Sequence, residues 1–150
     1  IGDGNNVANS LIICGALLGV EVRIACPQGY EPNPLIIKKA REINKNLNSL
    51  KITNDPYTVV SGSNVLYTDV WSSMGEENQK EKKDKVFNGF TINSDLVSKA
   101  DKDVIILHCL PAYRSKEITD EVIESKNSRI FEQAENRMHA QQALLSCLLS

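Results

Sequence analysis

The chain has 150 residues, of which 41% are hydrophobic and 24% charged, with a formal net charge of −2 and a pI near 5.7. This is the composition of one ordinary globular domain, and it excludes a basic field for nucleic acid or for an anionic membrane surface. The longest apolar stretch, Leu11–Val20, contains two glycines and is too short to span a bilayer.

Gly2-Asp3-Gly4-Asn5-Asn6 reads as a turn. It leads into a helix over Val7–Leu18, with Val7, Leu11, Cys14, Leu17 and Leu18 at helical spacing and Gly19 placed to end it. Glu21–Ala25 alternates as a strand, broken by Pro27 and Gly29. Pro34 opens a helix expected to reach about Leu47. Lys51–Thr53 is a short strand, and Asp55-Pro56 starts a short helix to about Ser61. Val65–Val70 is the next strand; Met74–Asp84, polar and charged, is expected to be a solvent-facing loop.

Asn88-Gly89 is a turn, and Asn93 or Ser94 caps a short helix to Ala100. Val104–Leu107 is an apolar, buried strand. Thr119 caps a helix to about Lys126, Arg129–Phe131 reads as a last short strand, and Glu132–Leu149 as a long helix. Alternating strands and helices predict an α/β fold: a three-layer sandwich with a mainly parallel sheet flanked by helices, residues 1–150 forming a single domain. A strand feeding the first turn would need residues before Ile1, so the segment is expected to be the carboxyl-terminal part of a longer polypeptide. Cys14, Cys26, Cys109 and Cys147 are dispersed, without Cys-x-x-Cys spacing. That argues against a structural zinc site and for a reducing compartment; the expected location is cytoplasmic, or a mitochondrial or plastid matrix if a targeting peptide precedes Ile1.

His108-Cys109-Leu110-Pro111 follows the buried strand directly. Parallel α/β sheets carry their chemistry just past the carboxyl ends of strands, and Pro111 cannot extend a ladder. The loops after the other strands bring Gly2–Asn6 and Asp69-Val70-Trp71-Ser72-Ser73-Met74-Gly75 to the same edge, where the last helix carries Glu135-Asn136-Arg137. Carboxamide, carboxylate, hydroxyl, thiol and guanidinium together suit a zwitterionic amine substrate beside an anionic one. Taken singly, each residue has a plainer reading: a solvated aspartate, a buried methionine, a surface arginine. A dinucleotide site is rejected, because the third glycine would fall at position 7, which is Val7.

Gly-Asp-Gly-Asn-Asn, Thr-Asp-Val-Trp-x-Ser-Met-Gly, His-Cys-Leu-Pro and Glu-Asn-Arg, in this order, resemble the aspartate/ornithine carbamoyltransferase family on its ornithine side. The resemblance covers essentially the whole chain, as the carboxyl-terminal, ornithine-binding domain. It implies transfer of the carbamoyl group of carbamoyl phosphate to the δ-amine of L-ornithine, giving citrulline and phosphate, a step of arginine biosynthesis. It implies that Asn6 binds the ornithine carboxylate. Asp69 holds the α-amino end and takes part in proton transfer. Ser73 and Met74 complete the amino-acid clamp. Cys109 with the Leu110 backbone faces the reacting carbonyl and the δ-amine, and Arg137 contacts carbamoyl phosphate. No metal or organic cofactor, nucleic acid or membrane is implied, and the assembly is a homotrimer built largely through an amino-terminal domain.

Two features depart from the pattern. Ala112 stands where many relatives have arginine, and Arg114 is the candidate replacement. Nothing in the chain matches the family's phosphate-binding Ser-x-Arg-Thr, so residues 1–150 alone are expected to have negligible transferase activity. A transferase for putrescine or an acylated ornithine, and a non-catalytic amino-acid-binding paralogue, remain alternatives.

Overall fold

The computed structural model describes residues 1–45, 50–72, 78 and 80–150. In chain order the elements are α1 (Asn6–Leu18), β1 (Val22–Ala25), α2 (Pro34–Ile43), β2 (Leu50–Thr53), α3 (Tyr57–Val60), β3 (Val65–Thr68), α4 (Lys80–Val86), α5 (Ser94–Ser98), β4 (Ile105–His108), α6 (Asp120–Ile123) and α7 (Ile130–Leu149). Both ladders are parallel, β1 with β2 and β3 with β4, in registers that pair Ile24 with Ile52 and Thr68 with His108. Ile1 and Gly2 link the two pairs: the Ile1 nitrogen donates to the Tyr67 carbonyl at 2.8 Å and the Gly2 N–H to the Ala25 carbonyl at 2.9 Å. Gly2 does this at φ +125°, a conformation only glycine adopts without strain.

Burial along β1 shows why this is a layered α/β fold. Successive strand side chains point to opposite faces. Val22, Ile24 and Cys26 pack with Ala8, Ile12, Ala16 and Ala40 of α1 and α2, whereas Ala25 packs with Val59, Trp71 and Phe87. Helices therefore cover both faces. The third cluster joins β3 and β4, through Leu66 and Ile106, to Leu96, Val122, Ile123 and Ile130.

Most elements form where the residues predict. Asn5 caps α1, its Oδ1 accepting from Val7 and Ala8 N–H at 3.0 and 3.2 Å, and Gly19 ends it at φ 70°. Asn33 caps α2 with Pro34 at its start, but that helix stops at Ile43 rather than about Leu47, because Asn44 takes an extended conformation. The Met74–Asp84 segment is corrected in part: from Lys80 it is helical, as α4. Its lysines and glutamate are strong helix formers, and Lys83 is only 3% exposed. Position 129–131 is also corrected. Asn127–Arg129 pairs with Ile106, through Ile106 N–H to the Asn127 carbonyl and Arg129 N–H to the Ile106 carbonyl, both 2.9 Å. Ile130 and Phe131 already belong to α7. The helix after Thr119 is a single turn ending at Ile123.

Candidate active site

Three loops converge at the carboxyl ends of the strands. Asp69 follows β3, Cys109 follows β4, and Asn5 closes the first turn. The Asp69 carboxylate receives three donors. Its Oδ1 accepts the Cys109 Sγ–H at 3.0 Å and the Val70 N–H at 2.7 Å, and its Oδ2 accepts Asn5 Nδ2–H at 3.0 Å. A carboxylate offers about four lone-pair positions, so one on Oδ2 is left for a ligand. Asn5 cannot turn away, because its Oδ1 caps α1.

Asp69, Val70 and Cys109 line a cavity of about 360 Å³ whose other walls include Asn6, Ser72, Leu110, Pro111 and Tyr113. Small-molecule sites begin at about 300 Å³. Of its charged lining residues, Lys116 is paired with Asp84 at 2.6 Å and Glu117 is buried against His108, which leaves Asp69 facing the space. The balance favours a cationic ligand. A second hollow, of about 330 Å³, lies between β1 and β3, with aliphatic walls such as Leu11, Val22, Ile24 and Leu66. It shares Val7 and Asp69 with the first. Its walls are mainly aliphatic and it does not include Cys109, whereas the polar cavity brings Asp69, Cys109 and Asn6 together.

Burial pushes the Cys109 thiol up to about 12; the hydrogen bond to Asp69 and that carboxylate's charge add to the rise, while Tyr67 opposes it. Burial likewise raises the Tyr67 phenol to about 12. Cys109 is therefore a neutral S–H donor at working pH. The loop that presents it is held in an unusual backbone: Leu110 sits at φ 58° ahead of a cis Leu110–Pro111 bond. For a residue with a Cβ the left-handed region costs about 1–3 kcal/mol. The Leu110 N–H is held by His108 Nδ1 at 2.8 Å.

The first turn is fixed from below. A Cβ on Gly4 would collide with the backbone of Tyr30–Pro32, so only glycine lets those two turns touch. Lys83 of α4 donates to Asp3 Oδ2 at 2.8 Å, with the two side chains 3% and 13% exposed. Its ammonium also lies 5.6 Å from the Tyr30 ring centre. Trp71 stacks on Phe87 at 5.7 Å and anchors the start of the third loop.

Of the residues predicted from sequence, Asn6, Asp69, Cys109 and Leu110 meet at one cavity. Ser73 and Met74 lie outside the described residues. Arg137 is exposed on α7, one turn beyond Gln133, and is not among the cavity's lining residues. Gln133 is the α7 residue that reaches the strand ends, accepting from His108 N–H at 3.0 Å and donating to the Tyr67 hydroxyl at 3.1 Å. Arg114 does not take the place of the arginine absent at 112: its guanidinium is held by Asp120 of α6 and by Glu124, the residue after that helix. Sequence reasoning missed Asn5, Gln133, Lys83 and Glu117. The doubled asparagine was the signal for Asn5, since an N-cap position favours that residue.

The whole chain can be compared with known proteins. Residues 1–148 match the family model described as aspartate/ornithine carbamoyltransferase, Asp/Orn binding domain. The chain is 83% identical over 149 residues to the ornithine carbamoyltransferase of Prochlorococcus marinus subsp. pastoris, covering 99% of this chain and 48% of that protein. It is 78% identical to that of Prochlorococcus marinus strain MIT 9312, covering 100% of this chain and 49% of the relative. Among solved structures, the ornithine carbamoyltransferase from Pyrococcus furiosus superposes with a TM-score of 0.90 at 49% identity, over 97% of this chain and 47% of that one. The chain thus spans about half the length of the curated relatives it matches. With sequence, fold and the strand-end loops in agreement along its length, the chain belongs to the aspartate/ornithine carbamoyltransferase family, as its Asp/Orn-binding domain.

Proposed function

We propose that this chain is the ornithine-binding half of an enzyme that carbamoylates the δ-amine of L-ornithine with carbamoyl phosphate. The observation that carries the reading is the Asp69 carboxylate, fixed by Asn5, Val70 and Cys109 with one oxygen position open toward a cavity of about 360 Å³. In this reading Asn6 binds the amino acid's carboxylate, Ser73 and Met74 complete that clamp, and Asp69 receives the α-ammonium. Cys109 and the Leu110 backbone face the δ-nitrogen and the carbamoyl carbonyl. Arg137, on the exposed face of α7, meets carbamoyl phosphate where a further domain closes over the site. A trimeric assembly and a place in arginine synthesis belong to the same proposal.

The chemistry follows from charge. An alkyl ammonium, with a pKa of about 10.4, is no nucleophile until it loses a proton. Asp69 and its thiol partner present a fixed acceptor at which that proton is handed on. The δ-nitrogen lone pair then forms the C–N bond, and the bond from carbon to the phosphate oxygen breaks. Its electron pair departs on phosphate, which takes up the second proton from nitrogen. Cys109 remains an S–H donor throughout, and no acyl-cysteine forms.

Two outcomes test this. Citrulline should be released when the longest native polypeptide carrying these residues receives both substrates, whereas residues 1–150 alone should release almost none, because they lack a Ser-x-Arg-Thr phosphate cradle. Ordinary turnover by the 150-residue chain would contradict the division of labour. Cysteine reactivity gives the second. A thiol held at about 12 is ionised to only ~10⁻⁴ at pH 8, against about a quarter for an ordinary cysteine. Iodoacetamide followed by peptide mass mapping should modify exposed Cys14 and Cys147 well before Cys109. Alkylation of Cys109 first would mean that it is a thiolate nucleophile.

A further inference from the structure

The wall of the polar cavity holds a group of the wrong sign. Among the described residues that line it, Lys116 is the one cation, although the site suits a cationic ligand. An unpaired lysine there would be a competitor built into the chain, because it carries the substrate's charged group on a flexible four-carbon stem. The Asp69 carboxylate, with one oxygen position open, is where such an ammonium would go. Lys116 goes elsewhere. Its Nζ donates to Asp84 Oδ2 at 2.6 Å, and Asp84 lines the same cavity.

This ion pair is not what holds its two elements in place. Lys83, one residue before Asp84, ties α4 to Asp3 at 2.8 Å. Phe87, just beyond the helix, is fully buried against Tyr30, Trp71 and Phe90. Lys116 is fixed through its backbone: its carbonyl accepts from Thr91 Oγ1 at 2.5 Å, and its N–H donates to the Tyr113 carbonyl at 3.1 Å. The Lys116 and Asp84 side chains are 31% and 37% exposed, and pairs so exposed contribute little to stability. What the contact does fix is where the ammonium points. We propose that Asp84 sequesters the Lys116 ammonium, keeping it off Asp69 and leaving that carboxylate open to the substrate's own ammonium. Asp84 is thus a positioning residue that acts on the site through Lys116. The kinetic part of this inference rests on the carbamoyl-transfer reading; the electrostatic part does not.

The test uses the native polypeptide carrying these residues. Asp84→Asn removes the counter-charge and leaves Lys116 to compete for Asp69. KM for ornithine should rise about 2- to 6-fold, the occupancy expected of a half-exposed ion pair, with kcat within about 1.5-fold of the parent because saturating substrate displaces the lysine. Lys116→Met should leave KM at or slightly below the parent value, and the double variant should return KM to it. Asp84→Glu keeps the charge and should keep the parent KM. An unchanged KM in Asp84→Asn, a fall in its kcat, or equal damage from Asp84→Asn and Lys116→Met would overturn the proposal. So would loss of folding in Asp84→Asn, which would show that the pair holds α4. A second readout needs no turnover. Burial, and then Asp69, hold the Cys109 thiol up at about 12, and an ammonium brought against Asp69 relieves the second cause. Iodoacetamide should therefore alkylate Cys109 at least about 3-fold faster in Asp84→Asn than in the parent, and at the parent rate in the double variant, with exposed Cys14 as reference. Equal rates in all three would overturn sequestration. If the parent fails to carbamoylate ornithine, the functional reading falls, while the Cys109 rates still judge the proposal.

Discussion

Replacing Asp69 by asparagine should lower kcat/KM for ornithine by about 10²- to 10⁴-fold, the range set by loss of a positioned proton acceptor. The side chains are nearly isosteric, so the loss is one of charge and hydrogen-bond polarity. Every neighbour of the carboxylate is a donor: the Cys109 thiol, the Val70 N–H and the Asn5 amide. An asparagine NH₂ must therefore face a donor whichever way it is placed. Asn5 cannot turn over to accept, because its Oδ1 already caps α1 through Val7 and Ala8. The substrate ammonium also loses its counter-charge. Steady-state kinetics, with circular dichroism to confirm folding, would show this; kcat/KM within a factor of three would remove Asp69 from the chemistry.

Lys83→Met should have the largest effect on stability, about 3–5 kcal/mol, as expected when one member of a buried ion pair is removed. Lys83 joins α4 to the Gly-Asp-Gly turn, and Asp3 would face a thioether in place of an ammonium 2.8 Å away. The double change Lys83→Met with Asp3→Leu should recover much of that loss, because replacing both charges removes the burial cost as well. Urea denaturation of the three variants measures it. A single-variant loss below 1 kcal/mol would show that the pair is solvated and does not fix the first loop.

The sheet strands and the convergence of their loops were legible in the chain for a simple reason. The alternation of apolar and other residues along Glu21–Ala25, the apolar β-branched run at Val65–Val70, and breakers such as Pro27 and Pro111, are local signals. Asp69 and Cys109 could be placed together because both follow parallel strands. What stayed hidden depends on contacts distant in sequence. Lys83 reads as a solvated lysine until Asp3, 80 positions earlier, is seen beside it. Glu117 sits in a run of charged residues, and only folding shows it sealed against His108. Arg114 looked free to serve the site, but Asp120 and Glu124, at the two ends of α6, hold it with carboxylates that sequence alone does not direct toward it. Ile130 and Phe131 favour strands as residues, yet the helical pattern that follows absorbs them.

The central claim is that the polar cavity receives an α-amino acid through Asp69 and Asn6 and presents its terminal amine to the Cys109–Leu110 turn. The most direct measurement is kcat/KM for carbamoylation of L-ornithine against putrescine, in the longest native polypeptide carrying these residues. Putrescine offers the same reacting amine without the carboxylate that Asn6 would hold. The account predicts a preference for ornithine of at least ~10²-fold, as expected where a site's polar groups are left unpaired by the wrong substrate. Equal or better turnover of putrescine would contradict it.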